Sequence, residues 1–264
     1  MANADVSIGV AGTLGPEAVA RLAPVVERGG FASLWVNDTP GADSLAALAA
    51  AGDATEGIRL ATGVLPVDRR RPAEIVEAVE RDQLAAPRLV LGIGAGGTRV
   101  GALSLVGDAV DELHEGTRAR VLVGALGPKM RRLGAERADG LLLSWLTPSI
   151  AAEQVRLARE QASAHGAAPT PHVALYVRTA LDPAADARLA EEANRYASYP
   201  AYAANFARLG IRADETVMDA FGFADRIAAY REAVDEVVLR VIAPGDSVDD
   251  HVRFIERAAE LLDT

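Results

Sequence analysis

The sequence predicts an α/β chain folded as a (β/α)8 barrel, and three observations predict it. Eight short runs of aliphatic and β-branched residues alternate with longer stretches of helical period, at a spacing of about 30 residues. The chain has 264 residues, close to the length of about 250 residues usual for one such barrel. Its residues are 50% hydrophobic but only 5% aromatic, a balance that suits repeated thin layers of strand and helix better than an aromatic-centred β-sandwich.

The elements follow in order. The first strand is predicted over 6–11 and its helix over 16–28, with Pro16 early in the helix and Gly29-Gly30 after its end. The second strand, 33–37, leads to a helix over 43–54 closed by Gly57; the third, 59–66, leads to one over 72–84 that Pro72 opens. The fourth strand, 89–95, precedes a helix over 102–114, and the connection between the fourth and fifth strands is compact, about 23 residues in all. The fifth, 120–125, runs into a helix over 128–137 with Pro128 first, and the sixth, 140–145, into one over 148–164 that starts at Pro148 and stops at Gly166. The seventh strand, 172–180, is followed by a broken helix over 183–208. Residues 195–235 hold two extra helical pieces around Tyr196, Tyr199, Pro200, Tyr202 and Phe206. The eighth strand, 237–242, precedes a closing helix over 247–262. One domain spanning 1–264, with a helical insertion at about 195–235, accounts for all of it.

Charge and composition remove several function classes. The formal net charge is −10, and phosphate backbones are bound by clustered positive charge, so nucleic acid is not an expected partner. There is no cysteine, which excludes disulfides, thiolate metal sites and cysteine nucleophiles. Neither a signal-type leader nor an apolar run of membrane-spanning length is present, and a cytoplasmic protein without membrane contact is expected. His114, His165, His172 and His251 lie at helix ends, at a strand start and within the last helix, away from the face where a barrel does chemistry. No metal site is expected.

A (β/α)8 barrel places function at the carboxyl ends of its strands. The second strand delivers Asn37 and Asp38 there, an amide and a carboxylate that also suit a turn. The third carries Gly63-Val64, where a glycine inside a strand marks a bulge or a ligand lying against the backbone. The fourth ends in Gly92-Ile93-Gly94-Ala95-Gly96-Gly97; its position in the repeat argues against a dinucleotide fingerprint, and the glycines keep the mouth open for a flat ligand. Arg69, Arg70 and Arg71 form a basic run in a loop of the same face, fit for solvent or for an anionic tail. The fifth unit is the sharpest signal. Ala125, Leu126, Gly127, Pro128 and Lys129 turn a strand directly into a helix start, whose free N–H groups and dipole make an anion site, and Lys129 is the one lysine of the chain. Ser144 and Trp145 follow on the sixth strand, a hydroxyl and an indole plane beside that site.

These motifs together resemble the luciferase-like monooxygenase superfamily. The resemblance rests on Gly30 to Asp38 (GFASLWVND), Ile58 to Pro66 (IRLATGVLP) and Leu91 to Gly96 (LGIGAG). It rests above all on Gly124-Ala125-Leu126-Gly127-Pro128-Lys129-Met130 with Ala138-Asp139-Gly140 and Trp145-Leu146-Thr147-Pro148, stretches similar to the F420-dependent oxidoreductase branch. It implies a (β/α)8 enzyme that uses the deazaflavin coenzyme F420, or alternatively FMN. It implies a non-prolyl cis peptide at Gly63-Val64 supporting the coenzyme ring, with Gly94 and Gly96 nearby. Residues Ala125, Leu126, Gly127, Pro128 and Lys129 would hold the coenzyme phosphate, flanked by Ser144 and Trp145. Members that oxidise sugar phosphates carry an Asp-His pair where this chain has Asp38-Thr39, and a Glu where it has Gly97, so that reaction is disfavoured here.

The expected activity is hydride transfer between F420 and a small organic substrate, with Asp38 and Asn37 the polar pair nominated as catalytic. The alternatives are an FMN-dependent monooxygenase of the same family and a flavin- or F420-binding protein with little catalysis. The short connection after the fourth strand leaves the substrate side open, or covered by the Tyr-rich segment or by a second copy in a homodimer.

Overall fold

The computed structural model describes residues 4–84 and 86–263. Eight parallel strands close into a barrel in sequence order, β1 Asp5–Ala11, β2 Ser33–Asn37, β3 Arg59–Pro66, β4 Leu89–Gly94, β5 Arg120–Gly124, β6 Gly140–Ser144, β7 His172–Thr179 and β8 Glu236–Val241. Every predicted strand is present, with ends within a residue of expectation. Pro66, Gly94 and Gly124 are the last residues of β3, β4 and β5, while the other strands end on Ala11, Asn37, Ser144, Thr179 and Val241.

The helices are α1 Gly15–Arg28, α2 Ser44–Asp53, α3 Pro72–Arg81, α4 Ala102–Gly116, α5 Pro128–Arg137, α6 Pro148–His165, α7 Asp186–Ser198, α8 Pro200–Leu209, α9 Phe223–Ala233 and α10 Val248–Leu262. Pro16, Pro72, Pro128, Pro148 and Pro200 all fall at the first or second helical position, where a missing N–H costs nothing. The segment after β7 is arranged differently from the pattern. It is α9, through buried Ile227 and Tyr230, that packs on α6 in the outer ring. The stretch predicted as the seventh barrel helix instead forms α7 and α8, broken at Tyr199 ahead of Pro200. These two helices pack on each other and reach Trp145 at the end of β6 through Ala193, Tyr196 and Phe206.

Between barrel and helices lies the main core of Val, Leu, Ile and Ala. Inside the barrel the alternating residues stack in three layers. At the foot, Glu236 is buried and accepts the Ser7 and Ser33 hydroxyls at 2.6 Å each and Trp35 Nε1 at 2.8 Å, while His172 Nε2 stands 3.0 Å from its second oxygen. Burial pushes this carboxyl up, but the hydrogen bonds from His172, Ser33 and Ser7 outweigh it and hold the group down at about 2. The middle layer is apolar, built on Trp35, Leu122 and Val238, and from it the Tyr176 ring reaches to Gly63 at the floor of the mouth. The third layer is the mouth. Among the described residues no helix is long and apolar enough to cross a membrane.

Candidate active site

The mouth is shaped by one irregularity. The β3–β4 register shifts between Gly63 and Leu65, and the Gly63–Val64 peptide bond is cis, at the place the resemblance implies. The bulge turns the Val64 side chain to the barrel interior, where it stays half-buried. A Cβ on Gly94 would lie 2.9 Å from Val64 Cγ2, and one on Gly124 would lie 2.7 Å from Cγ1. The two glycines therefore make room for Val64, and Val64 forms an apolar shelf across β3, β4 and β5. This corrects the expectation that the glycines leave space for a ligand directly. Gly96 shows the same exchange: its φ is +62°, and the Asp68 carboxylate occupies the volume a side chain would take, with Oδ2 accepting from Gly97 N at 2.7 Å.

Asn37 donates its Nδ2 to the Gly63 carbonyl, and its Oδ1 is buried without a partner. Tyr176 rises from β7 against the same glycine, its Oη also buried and unpartnered, so that a side chain at Gly63 would collide with the phenol. Burial pushes the Tyr176 phenol well up, against the pull of Arg240 and Arg178, and it stays protonated. Two buried polar atoms beside the Gly63–Val64 bulge, an acceptor and a hydroxyl, are thus without hydrogen-bond partners among the described residues.

Asp38 is placed otherwise than expected. Its Oδ2 accepts from Ser44 N at 3.1 Å and Ser44 Oγ at 2.9 Å, and its Oδ1 pairs with Arg69 Nη2 at 3.1 Å. With its side chain only 9% exposed and both oxygens engaged, Asp38 fastens the β2–α2 loop to the β3–α3 loop and does not face the shelf as a free carboxylate. Asp38→Asn is accordingly expected to cost about 1 kcal/mol of stability through the lost Arg69 pairing, visible as a lower urea midpoint at unchanged slope. The basic run is likewise neutralised: Arg70 pairs with Asp43 at 2.9 Å and Arg71 with Glu74 at 2.7 Å. An anionic tail finds no free arginine there.

Positive charge gathers on the other side of the mouth. α5 begins at Pro128 after Gly127, without a side-chain cap, and Lys129 stands exposed in its first turn with no ion pair among the described residues. Arg131, one turn in, is 4% exposed; its Nη1 donates to Gln154 Oε1 at 2.7 Å, its Nε reaches Ala125 O at 3.5 Å, and its Nη2 is unpartnered. Burial, with Arg208 adding to it, pulls this guanidinium down to about 10. Ala125 is buried, Leu126 half-buried and Pro128 exposed, so the turn from β5 to α5 is a backbone surface underlain by a cation.

Ser144 lies at the end of β6, and its Oγ accepts from Arg178 Nη1 at 3.2 Å. Trp145 follows with φ +58° and is 1% exposed. Its ring has Tyr196 at 4.7 Å and the Arg178 guanidinium at 4.1 Å. The expectation of an open indole plane is corrected: the ring is the anchor on which the Tyr196, Tyr199 and Tyr202 cluster of α7 and α8 sits. That cluster covers the β6–β7 side of the mouth.

Four mouth residues escape the sequence reading: Tyr176, Arg178, Glu192 and Arg240. A signal for three of them exists in the strands. Ala174, Tyr176 and Arg178 alternate along β7, and Glu236, Val238 and Arg240 along β8, so a tyrosine and two arginines at inward positions of carboxyl-terminal strand ends belong to the mouth by parity alone. Among the described residues, no group of three or more histidines and carboxylates is placed to hold a metal ion.

The fold is a closed parallel barrel whose mouth carries an apolar shelf, orphaned polar atoms and an uncapped helix start. The family model of luciferase-like monooxygenases matches residues 4–118 and 106–261; the chain belongs to that family, a family of oxidoreductases. No curated protein matches it. Among solved structures, an F420-dependent secondary alcohol dehydrogenase in complex with an F420–acetone adduct is similar over 98% of both chains, with a TM-score of 0.77 and 19% identity. The coenzyme F420-dependent tetrahydromethanopterin reductase of Methanopyrus kandleri covers 98% of both chains with a TM-score of 0.76 and 17% identity. The oxygenating constituent of 3,6-diketocamphane monooxygenase from Pseudomonas putida, a type II Baeyer–Villiger monooxygenase in complex with FMN, covers 97% of both with a TM-score of 0.68 and 14% identity. At these identities the likeness is one of fold.

Proposed function

We propose that this chain is an oxidoreductase that uses coenzyme F420 to pass a hydride to or from a small organic substrate at the barrel mouth. The observation that carries the proposal is the Val64 shelf, set by the Gly63 bulge between two buried polar atoms that lack partners, Asn37 Oδ1 and Tyr176 Oη. The residues present fit such a coenzyme: an apolar shelf for a flat ring, an acceptor and a donor at its margins, and an uncapped helix start underlain by Arg131 for a phosphate. Gly63 and Val64 would carry the ring, and Ala125, Leu126, Gly127, Pro128 and Lys129 the phosphate, with Ser144 alongside. The motif from Gly124 to Met130 together with Trp145 to Pro148 favours F420 over FMN.

When bound, the deazaflavin supplies the carbon that accepts or donates hydride. The protein's part is then positional. Val64 fixes the height of the ring, and Asn37 holds the Gly63 carbonyl so that the bulge keeps its shape. The Tyr-rich cluster on Trp145 excludes water from one side of the mouth. Asp38 is engaged with Ser44 and Arg69 and Glu192 with Arg178, so the hydroxyl proton of Tyr176 Oη is the one best placed to be shared with a substrate oxygen. Tyr176→Phe is therefore expected to leave the melting temperature unchanged, because no hydrogen bond within the protein is lost, while lowering coenzyme-dependent turnover about tenfold or more.

Titration of the purified protein with F420 and with FMN, followed by the absorbance of each, tests the reading. Saturable F420 binding with hydride exchange supports it. Tight FMN binding without F420 binding assigns the chain to the FMN-dependent members, and F420 binding without exchange toward any acceptor makes it a binding protein.

A further inference from the structure

Arg178 of β7 and Arg240 of β8 are direct neighbours in the barrel register, both on the inward face two residues above Tyr176 and Val238. Like charges side by side in a closed mouth repel, and a guanidinium removed from water is costly unless an acceptor meets it. Arg178 has acceptors: Glu192 Oε1 at 3.3 Å and Ser144 Oγ at 3.2 Å. Glu192 is shared, however, since its other oxygen lies 3.3 Å from Arg195. Arg240 donates Nη1 to the carbonyl of Val241 at 2.6 Å and has no ion pair among the described residues. Burial pulls its guanidinium down from the ordinary value, with Glu192 opposing and Arg178 adding to that pull. Three guanidiniums thus stand around one carboxylate in a chain whose net charge is −10. The acids of the loops that follow β7 and β8 are engaged elsewhere: Asp182 accepts from Ala184 N, Asp219 accepts from Gly222 N, and Asp246 pairs with Arg188.

We propose that the Arg178–Arg240 pair is a subsite for an oxyanion on the substrate, a carboxylate or a phosphate ester, held by the planar fork of Arg240 with Arg178 behind it. The proposal rests on the reading of the mouth as a coenzyme and substrate site, and topology separates the two halves of that site. The Val64 shelf spans β3 to β5, and the uncapped helix start follows β5. The arginine pair belongs to β7 and β8, across the barrel. A phosphate seated at Gly127 and Lys129, even one that reaches Ser144 and through it Arg178, leaves Arg240 on β8 uncompensated, and a fork of parallel N–H donors suits the two oxygens of a carboxylate or phosphate better than a single carbonyl. The substrate class is therefore an acid, not a neutral alcohol or aldehyde.

The test uses the full chain without added coenzyme and three probes of one size: benzoate, phenyl phosphate and neutral benzamide. Binding is read by calorimetry and by the fluorescence of the two tryptophans, because Trp145 lies directly under Arg178. The expected result is saturable binding of at least one anion and at least tenfold weaker binding of benzamide. The better anion identifies the head group. Arg240→Gln is expected to weaken that anion about tenfold or more, and Arg178→Gln provides a second variant should the first unfold, with circular dichroism checking both. Gly127→Asp, which blocks the helix start, is expected to keep the anion; loss of binding there and not in Arg240→Gln places the anion at α5 and overturns the proposal. Equal binding of benzoate and benzamide, or no saturable binding of either anion, also overturns it. The F420 titration is independent of these probes, so failure of the coenzyme reading and failure of the arginine subsite are seen separately.

Discussion

Gly127→Asp is expected to stabilise the protein slightly and to weaken coenzyme binding about a hundredfold or more, effects of opposite sign from one substitution. Gly127 is the N-cap of α5, with φ −100° and ψ +162°, a backbone any residue adopts, and no atom within 4 Å of a Cβ placed there. An aspartate at this position accepts from the free amides of the first turn and complements the dipole, a gain of about 0.5 kcal/mol over glycine. The same carboxylate stands where a phosphate is proposed to sit, and it both fills the amides and repels the ligand. Thermal melts and F420 titration check the two halves. A variant that melts higher and still binds F420 as the parent does would remove the α5 start from the site.

At the opposite end of the barrel, Glu236→Gln is expected to cost about 3 kcal/mol at neutral pH, because it removes the charge that Ser7, Ser33, Trp35 and His172 converge on. The pH dependence has a definite sign. The carboxyl sits at about 2 in the folded chain against an ordinary 4.5, so the unfolded chain binds its proton first. The stabilisation is complete above pH 4.5 and is lost as pH falls from there toward 2, about 3 kcal/mol over that window. Denaturation series at about pH 7, above the window, and at about pH 4 and 3, inside it, should show the parent losing stability steeply and the Gln variant much less, the two curves converging at the acid end. Parallel curves would mean that the carboxyl titrates alike in the folded and unfolded chain, and would overturn the lowered value.

The barrel itself is legible in the sequence because each strand is local and bracketed by its own stop residues, Gly29-Gly30 before β2 and Pro128 after β5 among them. The uncapped start of α5, the proposed anion site, is legible for the same reason: Gly127, Pro128 and Lys129 are consecutive. What is not legible depends on partners far apart in the chain. Asp38 reads as a free carboxylate until Arg69, 31 residues on, is folded against it. Gly94 and Gly124 read as empty space until Val64 fills both. Arg178 and Arg240 become neighbours only when β7 and β8 take their register, which no local pattern specifies. The role of α9 is hidden for a further reason: its large apolar residues are only Phe223, Ile227 and Tyr230, the rest being alanines, and the tyrosines upstream draw attention to a segment that belongs to the rim.

The division of labour after β7 makes the chain modular. The ring of outer helices is completed by α9, so α7 and α8 are an appendage carried between a finished wall and the mouth, anchored through Trp145 and the Arg178 beside it and, near the start of α7, through Leu189 and Arg188 at the ends of β7 and β8. Lineages descended from such a barrel can lengthen, shorten or repaint this hairpin without renegotiating the main core. A designer has the same freedom: the stretch between Asp186 and Leu209 is the place to exchange when the proposed acid substrate is to be changed and the proposed coenzyme kept.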